Sequence, residues 1–187
     1  MSTATMQAAV LEHHEAPFRL ASVSRPIPGP SQVLVRIAAS AVNPLDIKIR
    51  AGAAAHARHP LPAILGLDLA GTIEATGEGV TRFRRGDQVY GMTGGVGGQQ
   101  GSLAEFAAVD ADLLALKPAS VTMREAAALP LIFIAAWEGL IDRARLQAGQ
   151  SVLVQGGSGG VGHGHPDRSG LWRDCLCDRR ARAPVRH

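Results

Sequence analysis

The chain has 187 residues, with 19 basic and 16 acidic side chains and a formal net charge of +3. Hydrophobic residues make up 46% of it, which excludes disorder of the whole chain. Two cysteines cannot form a disulfide framework or a four-cysteine zinc site. Residues 1–164 carry 13 basic and 13 acidic side chains, so the positive charge lies entirely in the last 23 residues. A neutral body gives no electrostatic reason to expect nucleic-acid or membrane partners.

Hydropathy predicts a soluble cytoplasmic protein. The longest dense apolar run, residues 126–137, is too short to span a bilayer and contains Pro130. Residues 1–7 lack the cationic start and the apolar core of a signal peptide.

Short strands dominate the first part of the chain. Strand-like patterns occur, in chain order, at residues 7–11, 18–23, 32–39, 67–75, 86–90 and 103–117. Many short strands at close spacing predict a small barrel or sandwich. A helix is expected between the third and fourth strands, because Asn43 can cap it, Pro44 can open it and Asp46 lies in its first turn. We expect this helix to end near Gly52, and the glycine-rich stretch 92–101 to be a flexible loop.

The pattern becomes helical at Thr122. Thr122 and Glu125 have the spacing of a capping box, and Pro130 can open a second helix that runs to about Arg145. Residues 151–155 then form a short apolar run, which is typical of a strand in a parallel sheet.

A glycine-rich turn follows this strand and is the motif that carries chemistry. Gly157, Gly159 and Gly162 have the spacing of the dinucleotide-binding fingerprint. One glycine permits the tight turn, one lets the backbone approach a pyrophosphate, and one lets the next helix pack on the sheet. The N–H groups at the start of that helix then face the phosphates. The alternative interpretation is a plain glycine-rich turn.

Six segments together resemble the medium-chain dehydrogenase/reductase superfamily, and within it the zinc-independent quinone oxidoreductase-like branch. They occur in the family's order and are residues 42–46 (VNPLD), 64–71 (ILGLDLAG), 86–91 (GDQVYG), 101–106 (GSLAEF), 128–138 (with ALPL and AWE) and 152–162. The resemblance implies a β-rich GroES-like barrel domain at 1–121, which is the catalytic domain. It also implies the start of an α/β Rossmann domain at 122–163, with NADPH bound between the two.

The resemblance also implies roles for individual residues. Asn43 would lie beside the nicotinamide and the substrate, in addition to capping its helix. The cofactor would be held by Asn43 and by the turn residues Gly156, Gly157, Ser158, Gly159, Gly160, Val161 and Gly162. Hydride would pass from NADPH, rather than NADH, to a quinone or a conjugated carbonyl, while the protein positions the two. Full-length relatives are expected to be homodimers.

No metal site is expected. Zinc-dependent relatives have a cysteine at the position of Asn43 and a His-Glu pair at the positions of Leu67 and Asp68. Leucine cannot bind a metal and asparagine is a poor zinc ligand. Four histidines show no ligand pattern and are interpreted as solvated loop residues: His13, His14, His56 and His59. Two alternative functions are an alcohol dehydrogenase-like enzyme, against which the missing ligands argue, and a non-catalytic barrel that serves as a binding module.

The resemblance ends after His163. Pro166 and Gly170 would interrupt the helix that the fold requires there. Reading the codons shifted by one nucleotide permits an apolar helix, a glycine stop and an alternating strand. We therefore expect a frameshift, an out-of-frame and disordered tail at 164–187, and a truncated, inactive chain. The alternative is a functional tail that binds a metal through His163, His165, Cys175 and Cys177, although a Cys-x-Cys pair lacks the usual zinc spacing.

Overall fold

The computed structural model describes residues 4–147, 150–154 and 159–160, together with the backbone of Cys175–Cys177. Its contacts divide the chain into two compact units, Met1–Pro130 and Leu131–His187. This boundary falls after the predicted one at residues 121 and 122, because the helix that follows Thr122 packs on the strands of the first unit.

The first unit is a β structure with two sheets. Its strands, in chain order, are β1 (Thr5–Leu11), β2 (Arg19–Ser24), β3 (Gln32–Ser40), β4 (Ala63–Ile64), β5 (Asp68–Thr76), β6 (Gln88–Met92), β7 (Phe106–Asp110) and β8 (Ala115–Leu116). A five-stranded sheet has the order β7-β3-β5-β6-β8, and a three-stranded sheet has the order β2-β1-β4. Every pairing in the two sheets is antiparallel.

Apolar alternation places one face of the five-stranded sheet in the main core. Val33 and Val35 on β3 are fully buried, as the sequence predicts, and Ile37 packs against the same cluster at its edge. Leu69 and Ile73 on β5 complete this layer from the neighbouring strand. The period-two pattern therefore sets the register of the central strands, because a shift by one residue would expose these side chains.

Two short helices belong to the first unit. Helix α1 (Pro44–Arg50) ends just before the predicted Gly52, and helix α2 (Met123–Ala127) follows Thr122. The capping box of α2 is confirmed: Thr122 Oγ1 accepts the Glu125 N–H at 3.2 Å, and a Glu125 carboxylate oxygen accepts the Thr122 N–H at 2.7 Å. Short 3₁₀ segments lie at Ala55–Ala57 and Ala111–Leu113.

The second unit contains helix α3 (Pro130–Trp137), which begins at the boundary and continues as a π-helical segment, Glu138–Arg143. Strand β9 (Val152–Val154) pairs in parallel with β10 (Cys175–Cys177). A β-rich unit that precedes the beginning of a parallel-stranded α/β region confirms the predicted fold class.

Strand β10 lies inside the segment 164–187, for which the sequence predicts a disordered tail. These three residues instead form a strand, because the exposed edge of β9 offers unpaired N–H and C=O groups for a parallel partner. The other residues of that segment lie outside the described part of the chain. Across the described ranges, no helix is long and apolar enough to cross a bilayer.

Gly71 lies where β5 approaches β3 closely, and a substitution there tests how much this close packing contributes to stability. A methyl group at this position would come within 2.3 Å of the Arg36 carbonyl oxygen on the paired strand. Because both groups belong to paired backbones, we expect Gly71→Ala to lower the free energy of unfolding by about 1–3 kcal/mol. Urea denaturation followed by circular dichroism measures the change. Gly139→Ala is the control, since a methyl group there meets nothing within 4 Å, and an equal loss in both variants would contradict the argument.

Candidate active site

Buried polar side chains gather at one end of the five-stranded sheet. The end of β3, the start of β5 and the end of β6 meet there, because Ser40 pairs with Leu69 and Asp68 pairs with Met92. The buried polar or charged residues of the described chain are Asn43, Asp46, Asp68, Thr93 and Ser102.

Local helix-capping geometry holds the backbone of Asn43. Its φ of −109° and ψ of 158° are extended, as an N-cap requires, and Pro44 opens α1 after it. The Asn43 N–H donates to Asp46 Oδ2 at 2.8 Å. The predicted N-cap is confirmed, and Asp46 supports it from the first turn of the helix.

A second contact holds the side chain of Asn43. Its Nδ2 donates to Asp68 Oδ2 at 3.0 Å, and both residues are buried. A carboxylate oxygen is an acceptor, so the amide must turn its nitrogen toward Asp68. The Oδ1 atom of Asn43 is therefore directed away from Asp68 and faces the backbone N–H of Asp46, with which it forms the capping box of α1.

Asp46 is an unusual carboxylate for the first turn of a helix. Burial raises the pKa of Asp46, while hydrogen bonds from the backbone at Asn43, Gly66 and Leu67 and from the Asn43 side chain act in the opposite direction. Within the described residues, Asp46 Oδ1 is buried and has no hydrogen-bond partner. The charged form is consequently disfavoured, although Oδ2 caps the helix.

A glycine-rich loop, residues 93–102, packs against the same end of the sheet. Thr93 N–H donates to the Leu67 carbonyl at 2.7 Å, and Ser102 N–H donates to the Gly66 carbonyl at 2.9 Å. A methyl group on Gly66, whose φ is +104°, would lie 2.3 Å from Ser102 Oγ. The predicted loop at 92–101 is confirmed as irregular structure beyond Met92, and backbone contacts tie down both of its ends.

Three of the four histidines interpreted as solvated make hydrogen bonds. His13 Nδ1 donates to the His14 carbonyl at 3.2 Å, His14 is exposed as expected, and His59 is half-buried. His14 Nδ1 donates to the Ile49 carbonyl at 3.1 Å, and His59 Nδ1 accepts the Gly98 N–H at 3.2 Å. His13 and His56 are exposed. In the described ranges, no group of three or more His, Cys, Asp or Glu side chains could hold a metal ion.

The residues at the zinc-ligand positions do not form a zinc donor set. Leu67 is apolar and only 2% exposed. Asn43 turns its amide nitrogen, which has no free lone pair for a metal, toward Asp68. One carboxylate next to these two side chains is too few ligands for a tetrahedral site.

Only part of the predicted cofactor loop can be placed. Asn43, Gly159 and Gly160 lie among the described residues, whereas Gly156, Gly157, Ser158, Val161 and Gly162 lie outside them. Gly160 is helical, and a methyl group on it would come within 2.8 Å of Ile132 Cγ2. Strand β9 ends at Val154, before this glycine, so a strand followed by a closely packed helical glycine fits the order of a dinucleotide-binding segment.

Comparison with known proteins identifies the β-rich unit. Residues 29–119 match the model of the alcohol dehydrogenase GroES-like domain. An alcohol dehydrogenase superfamily protein from Novosphingobium aromaticivorans has a similar solved structure, with a TM-score of 0.87, 61% identity, and coverage of 92% of this chain and 52% of that protein. The chain belongs to the medium-chain dehydrogenase/reductase superfamily.

Curated relatives are similar over about 70% of the chain. The NADPH-dependent alkenal/one oxidoreductase of Arabidopsis thaliana is 44% identical over 135 residues, which are 70% of this chain and 35% of that protein. The quinone oxidoreductase of Mus musculus is 41% identical over 138 residues, which are 73% of this chain and 40% of that protein. The chain thus spans well under half the length of these relatives.

Sequence reasoning found Asn43 but did not assign a role to its partner Asp68 or to Thr93 and Ser102. The sequence does contain a signal for Asp68, since a carboxylate inside the apolar run from Leu67 to Ala70 would be buried and would need a polar partner. The contact itself joins residues 25 positions apart, so only the folded chain reveals it.

The raised pKa of Asp46 has a testable consequence for stability. A carboxyl group with a raised pKa stabilises the fold below the ordinary aspartate range, about pH 4, and this contribution is lost as pH rises through the raised pKa. Asp46→Asn retains an acceptor for the Asn43 N–H, so we expect it to flatten this part of the curve of melting temperature against pH. Asp46→Ala removes the acceptor as well and should cost about 1–2 kcal/mol. An unchanged pH dependence in Asp46→Asn would contradict the assignment.

Proposed function

We propose that the chain derives from an NADPH-dependent oxidoreductase of the quinone reductase type, in which hydride reduces a quinone or a conjugated carbonyl, and that the chain itself is a truncated, inactive form. The observation that carries the proposal is the buried hydrogen bond between Asn43 and Asp68, at the end of a GroES-like domain where relatives of the zinc-dependent kind hold their metal. The names of the two curated relatives, a quinone oxidoreductase and an NADPH-dependent alkenal/one oxidoreductase, support this choice of acceptor.

The residues proposed to hold the cofactor come from both parts of the sequence. NADPH, when bound, supplies the hydride, and the residues proposed to hold it are Asn43, Gly156, Gly157, Ser158, Gly159, Gly160, Val161 and Gly162. The crowding of Gly160 against Ile132 supports the assignment, because a methyl group on Gly160 would require the Ile132 side chain to shift.

Asn43 would act by orientation rather than by acid–base chemistry. Its amide is neutral, and the contact with Asp68 and the capping box of α1 together hold the side chain in one orientation. Hydride transfer depends on bringing donor and acceptor carbons into line, and fixed groups lower the entropic part of that barrier. Lys48, where some relatives of the branch have a tyrosine, is exposed, and no proton-transfer role is assigned to it.

The proposal includes no zinc, because Asn43 and Leu67 cannot supply the donors that zinc requires. It also includes a small-molecule substrate, a cytoplasmic location and, for full-length members of the branch, a homodimer. Neither nucleic acid nor a membrane is a proposed partner, since the body of the chain is electrically neutral.

NADPH oxidation in the presence of a panel of quinones and enones tests the proposal. Sequencing of the gene checks the predicted frameshift. The same assay is then run on a second protein, in which the reading frame after His163 is restored. We expect turnover in the restored version and none in the chain of 187 residues. Turnover of alcohols with bound zinc would favour an alcohol dehydrogenase instead, and no turnover in either protein would favour a binding module and refute the reductase.

A substitution at Asn43 provides a sharper test, made in whichever of the two proteins oxidises NADPH. We expect Asn43→Ala to lower kcat/KM by about tenfold or more, because the side chain proposed to align the reactants is lost. The substitution also removes a helix cap. Thr122→Ala is therefore the matched control, since it removes the cap of α2 at a similar cost in stability and should leave kcat/KM unchanged. Equal losses of activity in the two variants would assign Asn43 a purely structural role.

A further inference from the structure

His59 contacts the glycine-rich loop at its tip. Its Nδ1 accepts the Gly98 N–H at 3.2 Å, and the next bond along, from Gly97 N–H to the Ala57 carbonyl, measures 2.8 Å. Gly97 and Gly98 both have left-handed backbone conformations, with φ of +59° and +82°. The segment 57–59 thus holds the tip of the loop through two hydrogen bonds, one of which depends on a side chain that can titrate.

The direction of the His59 bond determines the protonation state of the ring. A backbone N–H can only donate, so Nδ1 must be the unprotonated nitrogen and Nε2 must carry the proton. An imidazolium ion has an N–H at both positions. Protonation of His59 would therefore turn two donors toward each other and abolish the bond to Gly98.

The loop links this bond to the candidate active site. Gly95 lies against Gly66, where a methyl group on Gly95 would come within 2.9 Å of the Gly66 carbonyl oxygen. Gly66 immediately precedes Leu67 and Asp68, and Leu67 accepts the bond from Thr93. A change at the tip of the loop can consequently reach the residue that orients Asn43 through a short run of backbone contacts.

Among the described residues that line the clefts beside His59, none is acidic and could compensate a charge on the ring. Two clefts of about 480 and 340 Å³ flank His59, and the other lining residues that can carry charge are Arg58 and His14. The 3₁₀ segment before it adds His56, which is exposed. Residues 93–102 and strand β4 contain no charged side chain. A protonated ring would thus find only cations or neutral groups around it.

We propose that neutral His59 is a positioning residue that holds the tip of the glycine-rich loop, and that a proton on its ring releases residues 97–99. The site beside Leu67 and Asp68 would then be formed fully only while His59 is neutral. The effect on turnover rests on the proposed reductase function, whereas the release of the loop does not.

The direction of the ring's titration agrees with this role. Burial lowers the pKa of His59, and the backbone of Ile64 acts in the opposite direction. A histidine with a lowered pKa stabilises the folded loop above its ordinary range, about pH 6.5, and this contribution is lost as pH falls through the lowered pKa. The loop should therefore loosen on the acidic side only.

Nuclear magnetic resonance of the full chain tests the proposal without any cofactor. The ring signals of His59 and the amide signal of Gly98 are followed between about pH 8 and pH 5, where histidine titrates. We expect the two signals to share one midpoint. We also expect the exchange protection of the Gly98 amide, corrected for the intrinsic pH dependence of exchange, to fall by about five- to thirtyfold across that midpoint.

Two variants separate the titration of His59 from a general effect of pH. His59→Asn places an amide oxygen near the position of Nδ1 and cannot titrate, so Gly98 should stay protected throughout the range. His56→Asn is the matched control, since it removes an exposed histidine three positions away and should leave the wild-type titration intact. If the His59→Asn protein fails to fold, the shared midpoint in the unaltered chain still decides the matter.

Independent midpoints for the ring and the Gly98 amide would overturn the proposal, as would an equal pH response in His59→Asn. In a catalytically active version of the protein, kcat/KM should fall at acidic pH. This fall should disappear in His59→Asn and persist in His56→Asn. Failure of all turnover would count against the reductase function alone, because the protection of Gly98 is measured without it.

Discussion

The hydrogen bond between Asn43 and Asp68 is the contact on which the site depends. It joins the start of α1 to the start of β5, and both partners are buried. Losing it would leave a buried carboxylate without this donor, which costs about 1–3 kcal/mol or more for a charged group. Its geometry in turn depends on strand register. A slip of β5 by one residue would move Asp68 to the opposite face of the sheet.

Close backbone approach is the second constraint on this end of the fold. Gly66 lies against Ser102, and Gly95 lies against the Gly66 carbonyl, at distances that no side chain could occupy. The absence of side chains lets an irregular loop pack on the sheet as closely as another strand would. The same freedom makes glycine loops costly to order, because glycine loses more conformational entropy than any other residue. Individual hydrogen bonds, such as that from Gly98 to His59, therefore matter more here than in regular structure.

The distribution of charge along the chain does not follow the division into two compact units. The body is neutral, and the net charge of +3 resides in the last 23 residues, which lie almost wholly outside the described structure. Within the body, the consequential charges are few and buried. Asp46 and Asp68 both contact Asn43, one through its backbone and one through its side chain. One neutral amide thus separates two carboxyl groups.

The sequence by itself determined the local features of this protein. The cap at Asn43, the capping box at Thr122, the alternation of Val33 and Val35, and the order of strands followed by helices all depend on neighbours a few residues apart, and all were predictable. The family's motifs added the fold and directed attention to Asn43. Only the tertiary structure decided that Asp68 holds Asn43, that His59 meets Gly98, and that the tail segment Cys175–Cys177 pairs with β9. These contacts join residues that are between 23 and 39 positions apart, and sequence patterns do not encode which distant polar or backbone groups will meet.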